Sequence, residues 1–249
     1  MPRLDLATAG WERNEYGVDV LVLSADPVSG ALTLALRTPA GLAWPEREHF
    51  YDCDQDLFQV EGEFHHDEEL PLHAGDYLWR PAGTIYGHSE GSAGGLIVAS
   101  LGRRPCRYHL DEHPGEWSGH YRVDRLWNDR PDPFVRRATE GLFTPLAGPG
   151  GAAWRSLRGT PGTAAAWGGR SRHSPWAAEA VGLLALPAGY RGPFPAWPGQ
   201  CAEVLVLDGE CLAAGARWYR GCYAFDALDG DVAVTTGLTA YVRLFAVEP

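Results

Sequence analysis

Hydrophobic and polar positions alternate along this chain in short runs and rarely keep a helical period. Val18-Asp19-Val20-Leu21-Val22-Leu23 predicts a strand, and Ala31-Leu32-Thr33-Leu34-Ala35-Leu36 its return after the turn Asp26-Pro27-Val28-Ser29-Gly30. Leu57-Phe58-Gln59-Val60-Glu61 alternates like a half-buried strand and runs into Gly62 and the polar cluster His65 to Glu69, a predicted hairpin tip. Gly75-Asp76 is a turn, Tyr77-Leu78-Trp79 a strand, Pro81-Ala82-Gly83 another turn, and Thr84 to His88 can run as a further strand. Leu96 to Leu101 is apolar enough to be a buried strand. The pattern predicts an all-β protein, in which His49 to His88 forms two short strand pairs around a pocket.

From Gly102 to about Gly151 the strand pattern lapses, and the segment reads as a connector with at most one short helix. Beyond it the pattern repeats. Val204-Leu205-Val206-Leu207-Asp208-Gly209-Glu210 lies over Leu57 to Glu63, and Gly221-Cys222-Tyr223 falls over Gly75-Asp76-Tyr77. Val232 to Val247 supplies closing strands that match Leu96 to Leu101. The expected organisation is an arm over 1–14, a barrel over 15–105, a connector over 106–150 and a second barrel over 151–249.

Composition narrows the function classes. With 21 Lys plus Arg against 32 Asp plus Glu, bulk charge opposes nucleic acid and anionic membranes as partners. A small molecule fits better. No apolar run reaches the length of a membrane span and the first ten residues hold no signal-type apolar core, so a cytoplasmic location is expected. The cysteines, Cys53, Cys106, Cys201, Cys211 and Cys222, include no CxxC pair. They suggest neither a zinc ribbon nor a disulfide framework, and a reducing compartment is the simpler assumption.

Gly62, Gly75, Pro81 and Gly83 carry a resemblance. They match the glycine and proline frame of the two motifs of the cupin superfamily, G-x5-H-x-H-x3-4-E-x6-G and G-x5-P-x-G-x2-H-x3-N. The chain resembles a tandem, or bicupin, arrangement of these jelly-roll β-barrels. It is similar to the cupin of zinc-binding anti-sigma factors and to their two-cupin relatives. On that resemblance the histidine pair of the first motif falls on His49 and Tyr51, its glutamate on Gln55, and the histidine of the second motif on Tyr86. His88, two residues on, shares the face of Tyr86 on a strand. His49, Tyr51, Gln55, Tyr86 and His88 are therefore the candidate site residues. His49 and His88 are the candidate ligands of a divalent transition metal, with Fe, Mn, Ni, Cu and Zn all compatible. The same positions of the second copy hold Ala196, Pro198 and Ala202, so that barrel is expected to pack against and support the first.

Other clusters have simpler readings. His65, His66, Asp67, Glu68 and Glu69 read as a solvated turn. His109, His113, Glu116 and His120 match no zinc motif. Cys53 reads as a structural cysteine. Tyr51 and Tyr86 are either aromatic plugs or the walls of a polar-lined pocket in which His49 or His88 serves as general acid or base. The resemblance implies an enzyme of bacterial metabolism working on a small, ring-containing molecule as an isomerase, cyclase, lyase or dioxygenase. A non-catalytic ligand-binding or sensor protein is the alternative, and pairing through sheet edges would make a homodimer.

Overall fold

The computed structural model describes residues 3–25, 31–42, 49–51, 53–65, 70–84, 86, 93–102, 108–110, 134–146, 150–159, 180–195, 200–225 and 230–246. Among these residues every regular element is a strand. In chain order they are β1 (Leu4–Asp5), β2 (Glu12–Arg13), β3 (Asp19–Ala25), β4 (Leu32–Thr38), β5 (His49–Tyr51), β6 (Gln55–His65) and β7 (Pro71–His73). There follow β8 (Tyr77–Arg80), β9 (Gly94–Leu101), β10 (Tyr108–Leu110), β11 (Phe134–Arg136), β12 (Thr144–Pro145) and β13 (Ala153–Arg158). The remainder are β14 (Ala180–Leu186), β15 (Arg191–Pro193), β16 (Gln200–Ala213), β17 (Ala216–Tyr219), β18 (Cys222–Phe225) and β19 (Asp231–Ala246). The closing segment of the second copy is thus one long strand rather than several.

The chain forms two compact units, residues 10–140 and residues 141–249 together with 1–9. In the first, an antiparallel sheet runs β11-β8-β6-β9-β4-β3-β2, with β7 hairpinned onto β6, and a separate pair joins β5 to β10. In the second, the order is β1-β18-β16-β19-β14-β13-β12, with β17 on β16 and β15 on β19. No helix of the described residues is long and apolar enough to cross a membrane.

The sequence repeat becomes a repeat of hydrogen bonds. Gly75 donates its N–H to the carbonyl of Gln59 at 2.7 Å, and Gly221 donates to the matching carbonyl of Val206 at 2.9 Å. Gly62 and Gly209 occupy the same place on β6 and β16, each with positive φ, 72° and 83°. Each also lies beside a register shift in the ladder to β9 or β19. A Cβ at Gly62 would stand 2.0 Å from the Gly94 carbonyl oxygen, and one at Gly209 would stand 1.7 Å from that of Gly237. Only glycine tolerates both the conformation and this backbone approach.

Each unit takes an outer strand from a segment whose sequence shows little strand pattern. β11 pairs with β8, setting Arg136 opposite Tyr77, and β1 pairs with β18, setting Leu4 opposite the equivalent Tyr223. Part of the presumed connector and part of the presumed irregular arm are therefore built into sheets. In the first unit a buried carboxylate fixes the outer strand. Asp76 accepts from the backbone N–H of His73 at 3.0 Å, from that of Ala138 at 2.7 Å and from Arg137 Nη1 at 2.7 Å. Such charge-assisted bonds are among the stronger ones in a fold.

Alternation along β6 and its neighbours builds the core of the first unit. Leu57, Leu78 and Ala99 are direct partners on β6, β8 and β9 and cluster with Val18, Leu42, Phe64, Leu72 and Ile97. The interior of the second unit is apolar and ring-filled, with Trp154, Tyr190, Phe194 and Trp218 packed among aliphatic side chains. On the opposite side of its sheet Glu203 and Arg243 form a buried ion pair at 2.6 Å. Gly62→Ala is expected to destabilise the protein by about 2 kcal/mol or more through backbone strain at this position. Urea unfolding measures the loss, and a wild-type midpoint would refute the account of the β6–β9 approach.

Candidate functional site

The two ends of the expected site are joined by backbone. His49 N–H donates to the Tyr86 carbonyl at 2.9 Å and Tyr86 N–H returns the bond to the His49 carbonyl at 3.0 Å, a two-residue antiparallel bridge. Directly opposed residues send their side chains to the same side. The His49 and Tyr86 rings accordingly lie 4.2 Å apart, centroid to centroid. Tyr51, two residues along β5, shares that side, its ring edge-on to His49 at 6.3 Å. The turn Pro81-Ala82-Gly83 closes the arrangement, because Gly83 N–H binds the Tyr51 carbonyl at 2.7 Å.

Gln55 arrives from β6. It lies two residues from Leu57, on the core side, and its Nε2 donates to the Tyr86 hydroxyl at 3.3 Å. Four of the sequence-predicted residues, His49, Tyr51, Gln55 and Tyr86, are thus brought together, with His49, Gln55 and Tyr86 buried and Tyr51 half-buried. His88 lies outside the described residues.

Arg80 escaped sequence reasoning. It pairs directly with Gln55 across the β6–β8 ladder and is only 2% exposed. Its guanidinium carbon sits over the Tyr86 ring, 3.4 Å from the ring centroid. The signal was present in the alternation, since a residue two beyond an inward Leu78 must also point inward. Burial raises the pKa of the Tyr86 phenol, while the charge of Arg80 and the hydrogen bonds from Gln55 and Arg80 pull the other way. Burial is the larger influence, so the phenol is neutral near pH 7.

A second glutamine faces the same side. Gln59 is fully buried, and its Nε2 donates to the Glu61 carbonyl at 2.7 Å, whereas its Oε1 has no hydrogen-bond partner among the described residues. In the second copy Ala202 and Val206 stand at the places of Gln55 and Gln59, Val206 within the apolar core. The interior of the first unit is polar where that of the second is hydrocarbon.

The cupin motif implies a metal, and the described donors do not fit one. They comprise one imidazole, one amide whose nitrogen is turned to Tyr86, and phenols, one of them held neutral by burial. No group of three or more His, Cys, Asp or Glu side chains among the described residues could hold a metal ion.

The other sequence clusters fall away from this site. His109 is a strand residue of β10, stacked on Phe50 at 4.6 Å and 7°, and Phe50 points to the side of β5 opposite His49. His65 belongs to β6 rather than to a hairpin tip. Its Nε2 meets Glu63 Oε1 at 2.8 Å, and His73 Nδ1 meets Glu63 Oε2 at 3.0 Å. Glu210, which aligns with Glu63, also meets a side chain across its hairpin, that of Arg217. This is a hairpin staple common to both copies. His113, Glu116 and His120 lie outside the described residues, as do Ala196 and Pro198. Cys53 corrects the expectation of an all-thiol protein: it is buried and disulfide-bonded, which removes it as a nucleophile. Cys211 and Cys222 are buried free thiols, and burial pushes the Cys211 thiol up to about 11, which keeps it protonated and inert.

Comparison with known proteins places this geometry. Residues 3–103 match the ChrR Cupin-like domain. This is a cupin fold. A candidate dioxygenase from Nostoc punctiforme has a similar structure, with TM-score 0.66 and 16% identity over 100% of this chain and 87% of that one. The bacterial pirin YhhW from Escherichia coli, solved in complex with nickel(II), gives TM-score 0.56 and 14% identity over 99% of both chains. Oxalate decarboxylase from Bacillus subtilis gives TM-score 0.56 and 11% identity over 98% of this chain and 75% of that one. At such identities the likeness is one of cupin fold. No curated protein sequence matches the chain.

Two outcomes test the polar interior. Gln59→Val, which installs the residue of the second copy, is expected to raise the unfolding free energy by about 1 kcal/mol by removing an unpaired buried acceptor. A loss of similar size in urea titration would mean that the amide is satisfied. Because the folded-state pKa of Tyr86 is raised, its contribution is fully present below the unfolded tyrosine value of about 10 and is lost as pH rises from there through the folded value. Wild type should therefore lose stability relative to Tyr86→Phe above about pH 10, and parallel curves for the two proteins would contradict the burial of the phenol.

Proposed function

We propose that this cupin is a small-molecule enzyme whose site lies in the first unit and works by acid–base chemistry. The observation that carries the reading is the His49–Tyr86 bridge, which sets an imidazole against a buried neutral phenol, with Gln55 on the phenol oxygen and Arg80 over its ring. Imidazole is the side chain best suited to move protons near neutrality, and a phenol held neutral can donate a hydrogen bond to a developing oxyanion. Tyr51 would form a wall for a ring-containing substrate. An isomerase, cyclase or lyase needs no more than such a pair. The resemblance of the fold to a candidate dioxygenase and to a decarboxylase is compatible with this breadth, and fold alone does not choose among reactions.

In this reading His49 accepts or returns a proton at a substrate carbon or heteroatom, Tyr86 stabilises the resulting oxygen charge, and Gln55 and Arg80 hold the phenol in place. No step passes through a metal. The second reading, a non-catalytic ligand-binding or sensor cupin, is favoured by the single imidazole standing where the motif has three histidines.

Mass-spectrometric profiling of a bacterial small-molecule extract before and after incubation with the protein separates the readings. Turnover of a compound that His49→Ala and Tyr86→Phe each slow by about a hundredfold or more supports the enzyme. Retention of a compound without turnover supports the sensor, and turnover untouched by either substitution places the chemistry elsewhere.

A further inference from the structure

Cys53 stands at the corner where β5 gives way to β6, two residues from Tyr51 and two from Gln55, and it is buried. It is also disulfide-bonded. The same corner ties the backbone of the site together: Asp54 Oδ1 accepts from the Ala82 N–H at 2.9 Å, the Asp54 carbonyl from the Gly102 N–H at 3.0 Å, and the Tyr51 carbonyl from the Gly83 N–H at 2.7 Å. These bonds fasten the Pro81-Ala82-Gly83 turn that leads to Tyr86. In the second copy Gln200 takes the place of Cys53, and the described cysteines of that unit, Cys211 and Cys222, are free thiols. The repeated barrel pattern therefore does not require a cysteine at this corner.

We infer that the Cys53 disulfide is a redox clamp on the site: closed, it holds Tyr51 and Gln55 on either side of a fixed corner, and cleaved, it lets the corner and the His49–Tyr86 bridge open locally. This rests on the reading of the first unit as the ligand-holding one and goes beyond it by giving that site a control. The step is exchange with a dithiol. One thiolate of the reductant attacks a sulfur of the bond and forms a mixed disulfide, the displaced sulfur takes a proton, and the second thiol closes the reductant's own disulfide while the remaining protein sulfur leaves as a thiol. Two electrons and two protons pass from the dithiol to the protein. Loss of a cross-link acts most on backbone that few other bonds hold. The His49–Tyr86 bridge is such backbone, an isolated pair of hydrogen bonds, whereas β4 and β9 pair along their whole length. Where thiols are kept reduced, a disulfide is usually a transient, sensing bond.

Amide hydrogen exchange of the full chain, followed by NMR with and without dithiothreitol, tests the clamp. Mass spectrometry counts the thiols to verify cleavage, and peptide mapping of the oxidised protein names the partner of Cys53. After cleavage the His49, Gly83 and Tyr86 amides are expected to exchange at least about tenfold faster, while those of β4–β9 and β16–β19 stay within about twofold. Cys53→Ser should reproduce that pattern without reductant, and reoxidation of the wild type should reverse it. Unchanged exchange at His49 and Tyr86 in the cleaved protein, a uniform rise across both units, or a bond that millimolar dithiothreitol leaves intact each overturns the clamp. If the clamp fails in this way while His49→Ala still slows turnover of an extract compound, the reading of the site stands alone. If exchange responds as expected but no compound is turned over or retained, the clamp stands and the reading of the site falls.

Discussion

The register of β6 between β8 and β9 is the constraint on which the rest of the first unit depends. Side chains on a strand alternate, so a slip of one residue would send Gln55, Leu57 and Gln59 away from the core and replace them with Asp56 and Phe58. The register is held from both ends. At one end the Gly62 backbone passes so close to Gly94 that no side chain fits, and at the other Gln55 stands directly opposite Arg80. Between them Leu57, Leu78 and Ala99 pack in line. The same ladder that makes the core hydrophobic in its middle therefore delivers an amide and a guanidinium to Tyr86.

The two copies show what their sheets share and where their interiors differ. Gly62 and Gly209, and the Gly75 and Gly221 bonds to the preceding long strand, are shared, as are the side-chain contacts of Glu63 and Glu210 across their hairpins. These features build a cupin barrel whatever it contains. At the interior positions the copies diverge, with Gln55 and Gln59 against Ala202 and Val206. Burying an acceptor with no partner among the described residues, as at Gln59 Oε1, opposes stability. The second copy is instead filled by Trp154 and Trp218.

Much of the strand framework was legible because alternation and turn residues are local signals. β3, β4, β6, β8 and β9 fall where the pattern predicts, and the repeat locates their counterparts β16, β18 and β19. The outer strands β1 and β11 were not legible. Each is three residues or fewer, too short to establish a period, and each becomes a strand only because β18 or β8 offers it unpaired backbone groups. The disulfide at Cys53 was hidden for a related reason, since an odd cysteine count leaves pairing to proximity in space.

The sequence by itself determined the all-β class, the repeat, the turns, and the appearance of His49, Tyr51, Gln55 and Tyr86 where the cupin motif has its ligands. Those properties follow from spacing along the chain. Only the tertiary structure decided that His49 and Tyr86 are direct partners, that Arg80 lies over the phenol, and that His109 stacks on Phe50 on the far side of β5. These contacts join residues 37, 6 and 59 positions apart. No local preference specifies them, and pairing of distant strands is what brings the groups within bonding distance and removes the water between them.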